Sequence, residues 1–151
     1  MPVLGHGSTA MSTALQANKE LVRRANDGLN AQDPEAFREH HAAELVLHDG
    51  GDVIHGVEAA LQRERAIWAA FPDLHHTLTD LVAEGDTVAY RFTATGTHEG
   101  PFQGIEATGR PVDITGQGLV RVEDGVLAAV WLNYDRLGML RQLGTVDRPV
   151  E

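Results

Sequence analysis

The residues Trp131-Leu132-Asn133-Tyr134-Asp135-Arg136-Leu137-Gly138 bring an indole, an amide and a carboxylate close together in the chain. They follow a turn signal, Glu123-Asp124-Gly125, and an apolar run from Val126 to Val130. That order predicts a hairpin leading into a buried strand. Alternate strand residues share a face, so Trp131, Asn133 and Asp135 go together, and Val130, Leu132 and Tyr134 oppose them. If both faces are covered, a carboxylate there must be hydrogen-bonded, paired or shifted in pKa. Asp135 is therefore the candidate catalytic acid/base. The competing role is N-cap of a helix over Arg136 to Leu143, and one residue can do both.

Gln117 and Thr115 alternate with Gly116 and Gly118 on the strand expected to pair with the last one. Glycine at both places implies close backbone approach or a bend. Gln117, Asn133 or a bound water would hold an enolate oxygen, or else Gln117 only shapes a pocket wall. His48 ends an earlier short strand, with Asp49 beside it and His55 after the turn. His48 and His55 read first as polar, substrate-binding residues of a pocket, with imidazoles suited to proton transfer near neutrality, second as structural histidines, and last as metal ligands. The His48–His55 spacing matches no metal motif, however, and no metal is expected. His40-His41 closes a helix and reads as structural. Of His75-His76, at most one enters a pocket. His98 lies on a Gly-containing loop, at a pocket mouth or in solvent. Trp68, Phe71, Phe92, Trp131 and Leu132 read as core, with Trp131 and Trp68 also candidate walls of an apolar pocket. Nucleophile-elbow, Walker A and dinucleotide fingerprints do not occur.

The bulk properties bound these ideas. The 151 residues, 42% of them hydrophobic, suit one domain with a real core. Twelve basic against 22 acidic side chains give a formal net charge of -10, with Lys19 the only lysine. Nucleic acids and anionic membranes are poor partners for such a surface. Cysteine is absent, which excludes disulfides and thiolate chemistry. No apolar run approaches the ~20 residues of a membrane span. The N-terminal stretch lacks the charged and apolar regions of a signal peptide, so a cytoplasmic protein is expected.

Positioning these residues takes an α+β order, helices first and long strands after. Ser12 or Thr13 is the expected cap of a first helix with Leu15, Leu21, Val22, Ala25 and Leu29 on one stripe. Asp33-Pro34 opens a second, and Gly56 a third that Pro72 stops. Short strands are expected at 44–48 and 53–55, and longer ones at 78–84, 88–95, 112–122 and 126–135. A terminal helix over 137–143 closes at Gly144. The domain is expected to span residues 12–144, with flexible tails at 1–11 and 145–151.

Phe71-Pro72-Asp73-Leu74, Glu84-Gly85-Asp86, Gly96-Thr97-His98, Gly109-Arg110, Glu123-Asp124-Gly125 and Trp131-x-Asn133-x-Asp135-x-Leu137-Gly138 occur in this order and spacing. The ordered set resembles the SnoaL-like polyketide (ester) cyclases of the nuclear transport factor two-like superfamily. The resemblance covers roughly Ala17 to Gly144. It implies a cone-shaped fold, three N-terminal helices on a curved antiparallel sheet around an internal pocket. It implies cofactor-free ring closure by aldol-type chemistry on a small or medium apolar carbonyl substrate, with Asp135 as the acid/base, and a homodimer through the sheets' outer faces. Many relatives carry Glu-His where this chain has Ala129-Val130. That departure leaves a non-catalytic binding protein, or a sister hydrolase, isomerase or dehydratase, as the alternative. The epoxide-hydrolase version needs an arginine bridged by two acids, and no Arg-x-Asp falls on an expected strand.

Overall fold

The computed structural model describes residues 2–146, with side chains from Thr9 onward. The elements run α1 (Pro2–Asn30), α2 (Pro34–His40), β1 (His41–Asp49), β2 (Asp52–His55), α3 (Val57–Ala70), β3 (His75–Glu84), β4 (Thr87–Thr97), β5 (Pro111–Glu123), β6 (Val126–Tyr134) and α4 (Arg136–Gln142). Six strands form one sheet in the order β2-β1-β6-β5-β4-β3. The α+β class is as expected. The sheet is not wholly antiparallel, because β1 and β6, its second and third strands, run parallel. Only a long crossover can make such a pair, and here about half of the chain, residues 50–125, lies between its strands.

Local chemistry explains the boundaries. Asp33 caps α2 by accepting from the N–H groups of Glu35 and Ala36, and Pro34 takes the first helical position. Asp124 and Gly125 both have positive φ, 51° and 77°, as a two-residue hairpin turn requires. The expected cap of α1 is not formed. The helix begins at Pro2, so Ser12 and Thr13 lie inside it, and Thr13 Oγ1 bonds back to the Thr9 carbonyl instead of capping. Residues 147–151, in the expected C-terminal tail, lie outside the described residues.

Helices α1, α2 and α3 cover one face of the sheet. Leu21, Val22 and Ala25 of α1, Phe37 of α2, Leu61 and Trp68 of α3, and Leu45, Leu47, Val88, Val120 and Val130 of the sheet form one buried cluster. A second gathers Phe71, Phe92, Phe102, Ile114 and Met139 under α4. Asn30 fastens the edge strand β3 to α1. Its amide accepts from the His76 N–H at 2.8 Å and donates to the His76 carbonyl at 2.9 Å. No helix among the described residues is long and apolar enough to cross a membrane.

Candidate active site

Between the two clusters lies an internal cavity of about 160 Å³. Its sheet wall consists of the side chains sharing a face with Leu132: Val130, Leu132 and Tyr134 of β6, Tyr90 and Phe92 of β4, Leu45 and Leu47 of β1. Glycines on β5 make room. Gly116 and Gly118 lie directly opposite Phe92 and Tyr90. A Cβ at Gly116 would stand 2.3 Å from the Phe92 ring, and one at Gly118 2.2 Å from the Tyr90 hydroxyl. Both rings thus lie flat over a bare stretch of backbone. With larger residues at 116 and 118 they would be pushed into the space that is now cavity.

The lining is mostly apolar, and its charge is gathered in one cluster. Arg63 and Glu64 project inward from α3, exposing 15% and 12% of their side chains. The Arg63 guanidinium bridges two acids, with Nε 2.7 Å from Asp49 Oδ2 and one terminal nitrogen 2.7 Å from Glu64 Oε1. Burial lifts the Glu64 carboxyl above the usual range and the Asp49 charge adds to this, while Arg63 opposes both. Burial alone would pull the Arg63 guanidinium down, but the two acids more than offset it and hold the cation. Tyr90 and Tyr134 stand close enough to feel these charges, and burial raises both phenols. His76 and His41 also line the cavity, each kept near a pKa of about 4 mainly by burial, so both are neutral at pH 7. Asn26 completes the polar lining. Arg63, Ile67, Phe102 and Tyr134 also wall an adjoining void with Asp49, Pro101 and Gln103, so Arg63 and Tyr134 stand where the two meet.

None of the residues singled out for the site lines this cavity. Asp135 is exposed at the end of β6 and accepts from the Gly138 N–H at 2.9 Å as N-cap of α4. Asn133 and Gln117 are exposed opposite each other on the outer face. Trp131 stacks on His48 there, with centroids 5.1 Å apart, beneath the Arg121 guanidinium. His55 is exposed on β2, and Trp68 is buried in the first core cluster. The alternation grouped the residues of β6 correctly, but the face it favoured is the outer one. Two histidine placements also change. His98 is fully buried against Phe71, and His41 faces the cavity. The arginine bridged by two acids does exist, built across α3 and β1 instead of along one strand.

A sequence signal for Glu64 was available. The apolar face of α3 runs through Val57, Ala60, Leu61 and Trp68, and Glu64 falls one turn from both Ala60 and Trp68. A carboxylate at a core position is the informative kind of exception. Tyr90 and Tyr134 share the parity of buried Phe92 and half-buried Leu132. Among the described residues no three His, Asp or Glu side chains converge as a metal cage.

A largely apolar cavity with a few convergent polar groups on an α+β frame defines a small-molecule-binding protein. The chain belongs to the SnoaL-like polyketide cyclases, whose family pattern it matches over residues 19–143. It is 34% identical to IdmH from Streptomyces antibioticus, a proposed polyketide cyclase, covering 84% of this chain and 98% of that one with a TM-score of 0.74. TsrD from Streptomyces laurentii is 31% identical, covering 87% and 97%, with a TM-score of 0.79. AclR from Streptomyces galilaeus, a proposed hydroxylase, is 25% identical over 89% of each chain with a TM-score of 0.81. No curated protein matches the chain.

Proposed function

We propose that this protein is a cofactor-independent acid/base enzyme that closes a ring on a small or medium apolar carbonyl compound. The observation that carries the reading is Glu64, a carboxyl of raised pKa held by Arg63 inside an otherwise apolar cavity. A carboxyl lifted toward neutrality is a stronger base once ionised and a ready acid once protonated. Glu64 takes the proton beside a substrate carbonyl, and Arg63 with the Tyr90 hydroxyl steadies the enolate oxygen. The enolate carbon attacks a second carbonyl of the same molecule, and the new alkoxide recovers the proton from Glu64. The polyketide cyclase family supports the carbonyl class of substrate.

A second reading has its own support. Arg63 bridged by Asp49 and Glu64 is the constellation expected of epoxide hydrolysis, with Asp49 activating a water and Glu64 protonating the opening oxygen. Exchange of the α-protons of 2-tetralone in D₂O, followed by NMR beside hydrolysis of cyclohexene oxide, separates the two. The wild type is expected to accelerate exchange, and Glu64→Gln to lower that rate by ~10²–10⁴-fold. Loss of exchange in Asp135→Asn with Glu64→Gln unaffected would return the role to Asp135. Acceleration of epoxide opening alone would favour the hydrolase, and neither activity a binding protein.

We further infer a homodimer through the outer sheet face. Val53, His48, Trp131, Leu119, Ala89 and Val82 are register partners in one row across all the strands. Val53, Leu119 and Val82 are 50%, 40% and 66% exposed. Such a flat apolar band suits a symmetric contact between copies.

A further inference from the structure

The end of the cavity away from Arg63 and Glu64 is walled by Val22, Ala25, Phe37, Leu45 and Leu127, with one polar ring among them, His41. His41 opens β1, is 9% exposed and stacks on Phe37 with centroids 4.1 Å apart. Its Nδ1 lies 2.8 Å from the Phe37 carbonyl oxygen. A carbonyl only accepts, so Nδ1 carries the hydrogen and donates it, and Nε2 keeps a bare lone pair. No hydrogen bond joins Nε2 to any described residue. A leucine or phenylalanine would fill this apolar corner as well, whereas Nε2 is not sealed in by protein and leaves an acceptor open to a donor in the cavity.

The distance from this corner to the charged cluster sets a length. His41 lies opposite Leu127 on β6, and Asp49 opposite Leu132. Five strand residues at ~3.3 Å each place the two stations about 16 Å apart. The cavity lining includes residues at both stations, so a ligand that reaches from one to the other is elongated, an unbranched chain or a row of rings.

We propose that the His41 end of the cavity is a binding subsite for a hydroxyl or amide N–H at the far end of an elongated apolar ligand, with His41 Nε2 accepting its hydrogen bond. The inference rests on the reading that the reacting carbonyl sits at Arg63 and Glu64. It names the substrate class: long, mainly apolar, a carbonyl at one end and a hydrogen-bond donor at the other. Burial keeps the imidazole neutral at pH 7, so the acceptor is present under ordinary conditions.

Methyl laurate and its ω-hydroxy counterpart differ only in the terminal donor, and their affinities for the full chain can be compared by calorimetry. The wild type is expected to bind the hydroxy ester about five- to tenfold more tightly, the worth of one net hydrogen bond. His41→Phe is expected to abolish the preference while still binding methyl laurate. His41→Gln, which keeps an acceptor, is expected to retain part of it. Nitrogen NMR of wild-type protein covers the case in which a variant fails to fold. The Nε2 resonance of His41 should move on adding the hydroxy ester and not on adding methyl laurate. Equal affinity for the two esters, no binding of either, or an unmoved Nε2 resonance would overturn the subsite. Tetralone exchange does not depend on His41. Exchange without the hydroxyl preference sinks this inference alone, and the preference without exchange sinks only the catalytic reading.

Discussion

The two faces of the sheet use the same strands and turns for opposite purposes. On the inner face the row Asp49, Leu132, Gly118 and Tyr90 crosses four strands beneath Arg63 and Glu64. One register step away, His48, Trp131, Leu119 and Ala89 cross the same strands on the outside. The inner row holds charge in an apolar setting, where it is felt strongly. The outer row holds its aromatic and polar groups against solvent, where Coulomb interactions are weak. An indole, an amide and a carboxylate on one face of a strand look like a site only if that face is covered. Placement, more than residue type, separates Glu64 from Asp135.

The first way to test the contrast is acid. His41 and His76 are held near a pKa of about 4 by burial, against an ordinary value of 6.5. Between those values the unfolded chain binds protons that the native state refuses. Stability therefore falls as pH drops from 6.5 toward 4, by up to ~3 kcal/mol for each imidazole. The raised Glu64 carboxyl works the other way, since its native state binds a proton more readily than the unfolded chain. The informative quantity is thus the difference between wild type and His76→Phe. Urea unfolding near pH 7 and near pH 4.5 should show a smaller acid loss in the variant. The same loss in both would mean that His76 is not shielded by the inner face.

Much of this architecture was legible beforehand, for physical reasons that also mark where legibility stops. Turn chemistry announced the hairpins, because Asp124-Gly125 adopts positive φ readily. Asp33-Pro34 announced α2. Period two told which residues of β6 travel together, but parity carries no label for inside. The inner set, Val130, Leu132 and Tyr134, is the more apolar of the two, and that was the better guide than the chemistry of the other set. Arg63 and Asp49 were illegible as a pair. They meet only because β1 lies against α3, and nothing in their spacing foretells that contact. The glycine pair was read correctly as close approach, while the rings that approach, Phe92 and Tyr90, belong to another strand.

The outer row offers the next test, with a smaller expected effect. If its apolar band is the contact between two copies, Leu119→Lys places a charge at its middle. A charge at the centre of such a contact costs on the order of 2 kcal/mol per copy, enough to shift association more than tenfold. Light scattering on the wild type at micromolar concentration should give twice the 16.3 kDa chain mass, and the variant should fall toward that mass itself. A wild type already at the single-chain mass would end the proposal. The cavity lies on the other side of the sheet, so tetralone exchange should persist in the variant. Loss of both would tie the site to assembly and break the separation of the faces.

The smallest effect belongs to Asp135, and it decides whether the outer face carries any of the chemistry. Its carboxylate caps α4 by accepting from the Gly138 N–H in the first turn of that helix. Asparagine also offers a side-chain oxygen and caps about as well, so Asp135→Asn should leave stability within a few tenths of a kcal/mol. Alanine offers none, and Asp135→Ala should cost ~0.5–2 kcal/mol. Met139 and Leu143 of this segment pack in the second core cluster, so loosening α4 also loosens that end of the cavity. Asp135→Ala can therefore weaken ligand binding without any part in catalysis, and the alanine variant alone would mislead. The asparagine variant removes that ambiguity, because it holds the helix and abolishes the titrating group. An unchanged exchange rate in Asp135→Asn, beside a measurable loss of stability in Asp135→Ala, identifies a cap. A rate lowered by two or more orders of magnitude with stability intact would mean that an exposed carboxylate outside the cavity reaches the substrate, and the division between the two faces would fall with it.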